Sequence, residues 1–306
     1  MPIFSTNDSA ARKTAAPPSL RLFQDISPWA SLAVLSVIGL AMLSWSWLTW
    51  PDVFIDFGSE LYMAWQMTAG KNLYLDVLSE CGPLSTYLNA LFFQLFGVGL
   101  HTLVYCNLAI LAGIVFLLHR ILAGISDRFT ATISCAVFLT LFAFNQYVEC
   151  GNYNYVCPYR HEMTHGIFLS LLALFCIFSF LQKQKLCWLA GSGFFLGWVL
   201  LTKTEISMPA VAACGIGWVL SKWTEEPQGR PRLKNLFLFL AAAAVPPLVA
   251  FFLLSLKMPA PKALLGVLGS WPYALHPAFS GSPYFQFGLG FDHPLTQFPF
   301  VDPLHC

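Results

Sequence analysis

Charge is what this sequence has least of. Only 10% of its 306 residues are charged, the net charge is +1, hydrophobic residues make up 57% and mean hydropathy is +0.64. These values lie far from a soluble globular norm and describe a polytopic membrane protein. The near-neutral balance gives no electrostatic footing for nucleic acid, and neither a basic tract nor zinc-finger spacing supplies one locally. Nucleic acid is excluded as a partner. Cysteine patterning is missing as well: the nine cysteines are scattered, and Cys106, Cys135, Cys176, Cys187 and Cys214 fall in apolar runs as small packing residues. Nucleophilic cysteine chemistry gains no support. Cys150 and Cys157 share one short loop and are a candidate disulfide, although neither spacing nor context is diagnostic. No internal repeat or low-complexity tract breaks the chain, so it reads as a single membrane domain.

What is present is a series of long apolar runs. The first, from about Pro28 to Trp50, has some twenty residues without a charge, enough to cross a hydrocarbon core of roughly 30 Å at about 1.5 Å per residue. Trp45, Trp47 and Trp50 mark its far interface. The polar stretch before it is long and no small-residue cleavage site follows, which favours an uncleaved signal anchor. Six further spans are expected at about Leu100 to Leu122, Phe129 to Val148, His165 to Leu181, Leu186 to Thr202, Ile206 to Leu220 and Leu236 to Leu256. The expected fold class is all-α, with residues 1–27 a cytoplasmic tail, 28–256 a transmembrane bundle of about seven spans, and 257–306 a Pro-rich extracytoplasmic segment of turns.

Lys and Arg set the orientation. With the tail inside, the inner segments hold Arg12, Lys13, Arg21, Arg120, Arg128, Lys183, Lys185, Lys222, Arg230, Arg232 and Lys234, eleven of the sixteen. The outer ones hold Lys71, Arg160, Lys203, Lys257 and Lys262. The run Pro83 to Phe96 is about fourteen residues, short of the roughly twenty a span requires. Counting it as a span inverts every later loop and spoils the bias. It is therefore expected, with Ser59 to Ala69, to lie along the outer membrane surface. Cys81, between these two segments, is the native thiol expected to meet a membrane-impermeant reagent.

Carboxylates concentrate in the first outer loop, 51–99. It holds Asp52, Asp56, Glu60, Asp76 and Glu80 of a total of 15 acidic residues, and on a helix Asp56 and Glu60, four apart, share much the same face. The words DFGSELYMAWQMTAGKNLYLDV and GPLSTYLNALFFQLFGVG together resemble the first extracytoplasmic loop of the GT-C glycosyltransferases. More narrowly they are similar to the bacterial family 39 and RgtA/B/C/D-like enzymes. The resemblance implies a membrane enzyme of the bacterial inner membrane that takes a sugar from a polyprenyl-phosphate-linked donor and gives it to a glycan, lipid or protein acceptor. It implies juxtamembrane helices walling the donor cleft, and Asp56 at the catalytic acidic position. Phe57 stands where many relatives carry a second carboxylate, which makes Glu60 the substitute partner.

The second outer loop gathers Asn152, Asn154, Tyr155, Tyr159, Arg160, His161, Glu162 and His165 in one polar island. Aromatic faces and amides suit a sugar ring and an Arg suits a phosphate, while an ordinary membrane-interface loop has the same composition. Asn152, Tyr155, His161, Glu162 and His165 are candidate sugar or acceptor contacts. His161-Glu162-Met163-Thr164-His165 is also a literal H-E-x-x-H, which on a helix opened by Pro158 puts both imidazoles on one face, as in zinc metalloproteases. No third ligand follows at a recognisable spacing, and no metal site is assigned.

Lys203, between two spans with almost no loop, runs against the positive-inside bias and calls for a partner. That partner is either Glu205, in a snorkelled pair, or a lipid-linked phosphate. Related enzymes often carry a "T-K" pair here, as Thr202-Lys203 does. The expected chemistry is attack by an acceptor hydroxyl on an anomeric carbon, with Asp56 as base, Glu60 orienting, Lys203 and Arg160 on the departing phosphate, and Glu205 among the sugar or acceptor contacts. No cofactor is required, since the leaving group already disperses its charge; a divalent metal is left open. Relatives usually continue with more spans, so the chain is expected to be an incomplete reading of a longer enzyme. A transporter or flippase, an inactive scaffold and a membrane metalloprotease are the rival readings; Pro246-Pro247, read as a helix break, is the feature favouring a transporter.

Overall fold

The computed structural model of the chain describes residues 26–49, 56–145, 154–224 and 233–274. Its elements are helices: α1 Pro28–Ser46, α2 Asp56–Thr68, α3 Leu84–Phe96, α4 Leu100–Ile125, α5 Arg128–Val137, α6 His161–Lys183, α7 Leu186–Val199, α8 Thr204–Thr224, α9 Leu233–Ser255, α10 Ala260–Leu268 and α11 Trp271–Ala274. Among the described residues the only β pairing is an isolated bridge between Leu73 and Val77. The fold is an all-α polytopic bundle.

Local chemistry starts the helices where polar punctuation stands. Ser27 caps α1 by accepting from the Ala30 amide at 3.1 Å, with Pro28 in the first turn, where a missing N–H costs nothing. Asp127 caps α5 by accepting from the Thr130 amide at 2.8 Å. α5 then loosens into a π-helical turn, Phe138–Ala143, before the chain bends toward the second outer loop.

Four helices, α1, α4, α6 and α9, have the length and hydropathy to cross a membrane. The other three expected spans correspond to shorter apolar helices, Arg128–Ala143, Leu186–Val199 and Thr204–Leu220. α3 forms as a helix of 13 residues, about 20 Å long. Its polar residues Ser85, Thr86 and Asn89 are buried while Tyr87, Leu91, Leu95 and Phe96 are exposed. That apolar outer face, and Tyr62 and Trp65 exposed on α2, are the pattern of helices seated in an interface.

Two readings of proline are corrected. Pro246-Pro247 does not break a helix, because α9 runs through both. Between packed membrane helices, neighbours accommodate the freed carbonyls. Here the neighbour is α7, whose Gly193 and Gly197 lie so close to α9 that a Cβ on either would overlap the carbonyl oxygen of Phe239 or of Ala243, the latter four residues before Pro247. The segment after Leu256 is not all turns. Pro261 lies in the first turn of α10, where proline is tolerated, and Gly269, at φ 53°, ends it.

One end of the bundle collects the loops expected to lie outside. Gly82 and Leu84 donate their amides to the Thr202 and Leu201 carbonyls at 2.8 and 3.2 Å. Only a glycine fits at position 82, since a Cβ would overlap the Leu201 carbonyl. The Tyr74 hydroxyl lies 2.8 Å from the Cys81 carbonyl and 3.0 Å from that of Gly266 in α10. Burial holds the Tyr74 phenol far above its ordinary pKa and keeps it a donor. Ser270 closes the group against Thr204, at 2.7 Å between hydroxyls.

Candidate active site

At that end α2 and the start of α6 meet. Glu60, 1% exposed, lies 3.3 Å through Oε1 from Nη1 of Arg160 and 3.6 Å through Oε2 from Nδ1 of His161. The first is a charge-assisted contact; the second is too long for a hydrogen bond. Asn107 of α4 fixes the state of His161. Its Nδ2 donates to the Val156 carbonyl at 3.1 Å, which only a donor satisfies, and the same nitrogen lies 3.0 Å from His161 Nε2. Nε2 is therefore the acceptor, and the imidazole carries its proton on Nδ1, toward Glu60. The Phe57 ring lies 5.1 Å from that of His161 and shields it.

The backbone between Asn154 and Arg160 is set by one side chain. Asn154 Oδ1 accepts from the amides of Val156 and Cys157 at 3.0 and 2.7 Å, an Asx turn that delivers the chain into α6. α6 opens at His161 rather than at Pro158, so His161, Glu162 and His165 occupy its first turns, all three buried. His165 Nδ1 lies 3.0 Å from the Ser85 hydroxyl of α3. The two imidazoles, 5.8 Å apart at their centroids, thus engage separate partners, and among the described residues no group of three metal-ligating side chains converges. Both oxygens of Glu162 are buried without a hydrogen-bond partner among the described residues.

Lys203 enters from the start of α8. Its ammonium lies 3.1 Å from Glu205, with side-chain exposures of 21% and 61%. Burial is the largest influence and opposes the Lys203 charge, but Glu205, Tyr159 and Cys81 together outweigh it and keep the pKa above its ordinary value. The fields of Arg160 and Lys203 both reach the Cys81 thiol, where they oppose the upward push of burial. Asp76 is held elsewhere: the Asn72 amide, at 2.8 Å, keeps its exposed carboxyl below the usual range and makes a local loop, rather than a pairing with Lys71 alone.

The structure therefore brings Glu60, Arg160, His161, Glu162 and His165 into one cluster, with Lys203 and Glu205 at its side. Tyr155 goes elsewhere. Its ring is 8% exposed in the core, edge-on to Phe138 at 5.2 Å, and its amide is bonded to the Ala143 carbonyl. Asp56 opens α2, which starts there and not near Ser59; its side chain, like Asn152 and Cys150, lies outside the described residues. Sequence reasoning missed Asn107, Ser85 and Gly82. For Asn107 a signal existed, a polar amide inside an apolar span.

Against known families, the model for dolichyl-phosphate-mannose-protein mannosyltransferases matches residues 80–254, more than half of the chain. The chain belongs to this family. It is a membrane glycosyltransferase of the GT-C type. The mannosyltransferase match covers α3 to α9 with Arg160, His161, Glu162, His165 and Lys203, and begins after Asp56 and Glu60. No curated protein and no solved structure matches the chain.

Proposed function

We propose that this glycosyltransferase moves a sugar from a polyprenyl-phosphate donor to an acceptor hydroxyl on the extracytoplasmic face, without a required cofactor. The observation that carries the reading is the contact of Glu60 with Arg160 at 3.3 Å, which joins the acidic helix of the first loop to the basic entry of α6. Asp56, one turn before Glu60 and about 5–6 Å away between Cβ atoms, takes the acceptor proton as its oxygen attacks the anomeric carbon. The bond from that carbon to the phosphate oxygen breaks, and the electron pair leaves with polyprenyl phosphate. Arg160, which uses one of its five donors on Glu60, and Lys203 receive the phosphate charge. Glu60 holds Arg160 in place. His161, held by Asn107, and the buried Glu162 and His165 shape the wall behind it, and Glu205 governs how freely Lys203 turns to the donor.

Mannose is the first sugar to try, from the family's name. Membranes carrying the protein are incubated with polyprenyl-phosphate mannose and a panel of other polyprenyl-phosphate sugars, and transfer is measured for the parent and for Asp56→Asn. Loss of a general base costs about 10² to 10⁴ in rate. A well-expressed Asp56→Asn protein that transfers sugar at the parental rate removes Asp56 from the role.

A further inference from the structure

Away from the Glu60 cluster, α1, α4 and α5 line an open cavity of about 670 Å³, within the roughly 300–1,000 Å³ of ligand sites. It is extended along α4. Leu108 and Arg120 both line it, and twelve residues of helix separate them, about 18 Å. Its walls are apolar, with Leu35, Leu43, Leu111 and Val115 among them. Its far end is basic: Arg120, Arg128 and His119 line the mouth, about 20 Å along α4 from Asn107 and the site it serves. Trp29, 79% exposed, stands at the same rim, the position of an interfacial indole.

Among the described residues the charges at this mouth form no ion pair, and both arginines are exposed. The adjacent carboxylate, Asp127, is committed to its own helix turn, accepting from the Thr130 amide and hydroxyl at 2.8 and 2.9 Å. Beneath the mouth, Ser31 and Thr132 are buried and meet at 2.9 Å, giving the slot a polar floor at this end only. The chain's own N-terminal segment has the wrong sign to fill it, with Arg12, Lys13 and Arg21 against Asp8 and Asp25.

We propose that this slot binds an anionic phospholipid, one hydrocarbon chain lying between α1 and α4 and the phosphate between Arg120 and Arg128. An open apolar groove with a cationic end fits a hydrocarbon chain with an anionic head. The site is separate from the sugar-transfer site at the other end and does not depend on it.

The test uses the full chain reconstituted in vesicles of equal parts phosphatidylglycerol and phosphatidylcholine, re-extracted in mild detergent, with retained lipid counted by mass spectrometry. Two substitutions read the two ends. Gly39 lines the slot and a Cβ there meets nothing within 4 Å, so Gly39→Leu is chosen to fill the space; Ala112→Phe is the second filling variant. The parent is expected to retain phosphatidylglycerol in excess. The double variant Arg120→Gln with Arg128→Gln lowers that preference roughly tenfold or more, from about one charge-phosphate contact per arginine, and keeps its melting temperature. Gly39→Leu lowers retention of both lipids. Retained lipid at the bulk ratio in the parent overturns the proposal, as does a preference untouched by the double variant. So does a filling variant that changes the oligomeric state and leaves lipid retention unchanged, which assigns the slot to a second copy. A preference abolished by inorganic phosphate, with both filling variants inert, assigns the mouth to a free anion and also overturns it.

Discussion

Arg160 and Lys203 each have a carboxylate at hand, Glu60 at 3.3 Å and Glu205 at 3.1 Å, and the two settings differ in water. Glu205 is 61% exposed, so its pair is worth about 0–1 kcal/mol and opens easily for a phosphate. Glu60 is 1% exposed, and removing its cation leaves a carboxylate in a dry site, a loss lying between that of an exposed pair and the roughly 3–5 kcal/mol of a buried one. The expected pattern is therefore split. Lys203→Met weakens donor binding and leaves the melting temperature near that of the parent, Glu205→Gln changes both little, and Arg160→Met lowers the melting temperature as well as activity. Donor KM and thermal melts in detergent read the three side by side; equal, small KM effects at Lys203 and Glu205 reduce Lys203 to a snorkelled pair. At this scale the sequence was a good guide where charge was involved. In a chain this apolar, Glu60, Arg160 and Lys203 have only the polar end of the bundle to occupy. It was a poor guide to Asn107 and Ser85, whose partners His161 and His165 stand 54 and 80 residues away and leave no trace in local spacing.

Elements were misread where a rule for water was applied to a packed apolar bundle. Proline breaks a helix when its freed carbonyl has no compensation, yet α9 runs unbroken because α7 offers two glycines four residues apart, Gly193 and Gly197, along the contact. Close approach of backbones brings Cα–H groups onto carbonyl oxygens, a weak but repeated contact. Glycines on different faces then respond oppositely to the same substitution. Gly197→Ala forces α7 from the Ala243 carbonyl and Pro246 and is expected to cost about 1–3 kcal/mol, as overpacking does. Gly215→Ala, in α8 with nothing within 4 Å, gains up to about 1 kcal/mol of helix propensity. Melts of the two variants check the signs; a neutral Gly197→Ala ends the close-packing account. α10 escaped detection for the converse reason, its nine residues being framed by prolines that read as turns.

At the scale of the whole molecule, one contact constrains the path expected of the chain relative to the bilayer. Glu60 follows the first span and Arg160 precedes the sixth helix, and the two touch. If α3 crossed the membrane, they would stand on opposite sides; with α3 on the surface, two crossings by α4 and α5 bring both to one side. The same holds for Gly82 with Thr202. Charge bias then predicts that this end lies outside, which labelling tests. Cys81 is a poor reporter of that side, contrary to what its loop suggests. It is 3% exposed, and burial pushes its thiol up to about 12, so the thiolate that reacts is scarce at neutral pH. Glu80, exposed beside it, and Gln184, exposed in the α6–α7 turn, are better positions. In a background with the exposed Cys187 replaced by Ser, Glu80→Cys is expected to react with an impermeant maleimide in intact cells. Gln184→Cys is expected to react only after permeabilisation. The reverse pattern would put the Glu60 cluster in the cytoplasm and reverse the charge argument. Labelling of both positions in intact cells would make the number of crossings between them even, which α4, α5 and α6 allow only if α3 crosses too, and the Glu60 to Arg160 contact forbids that.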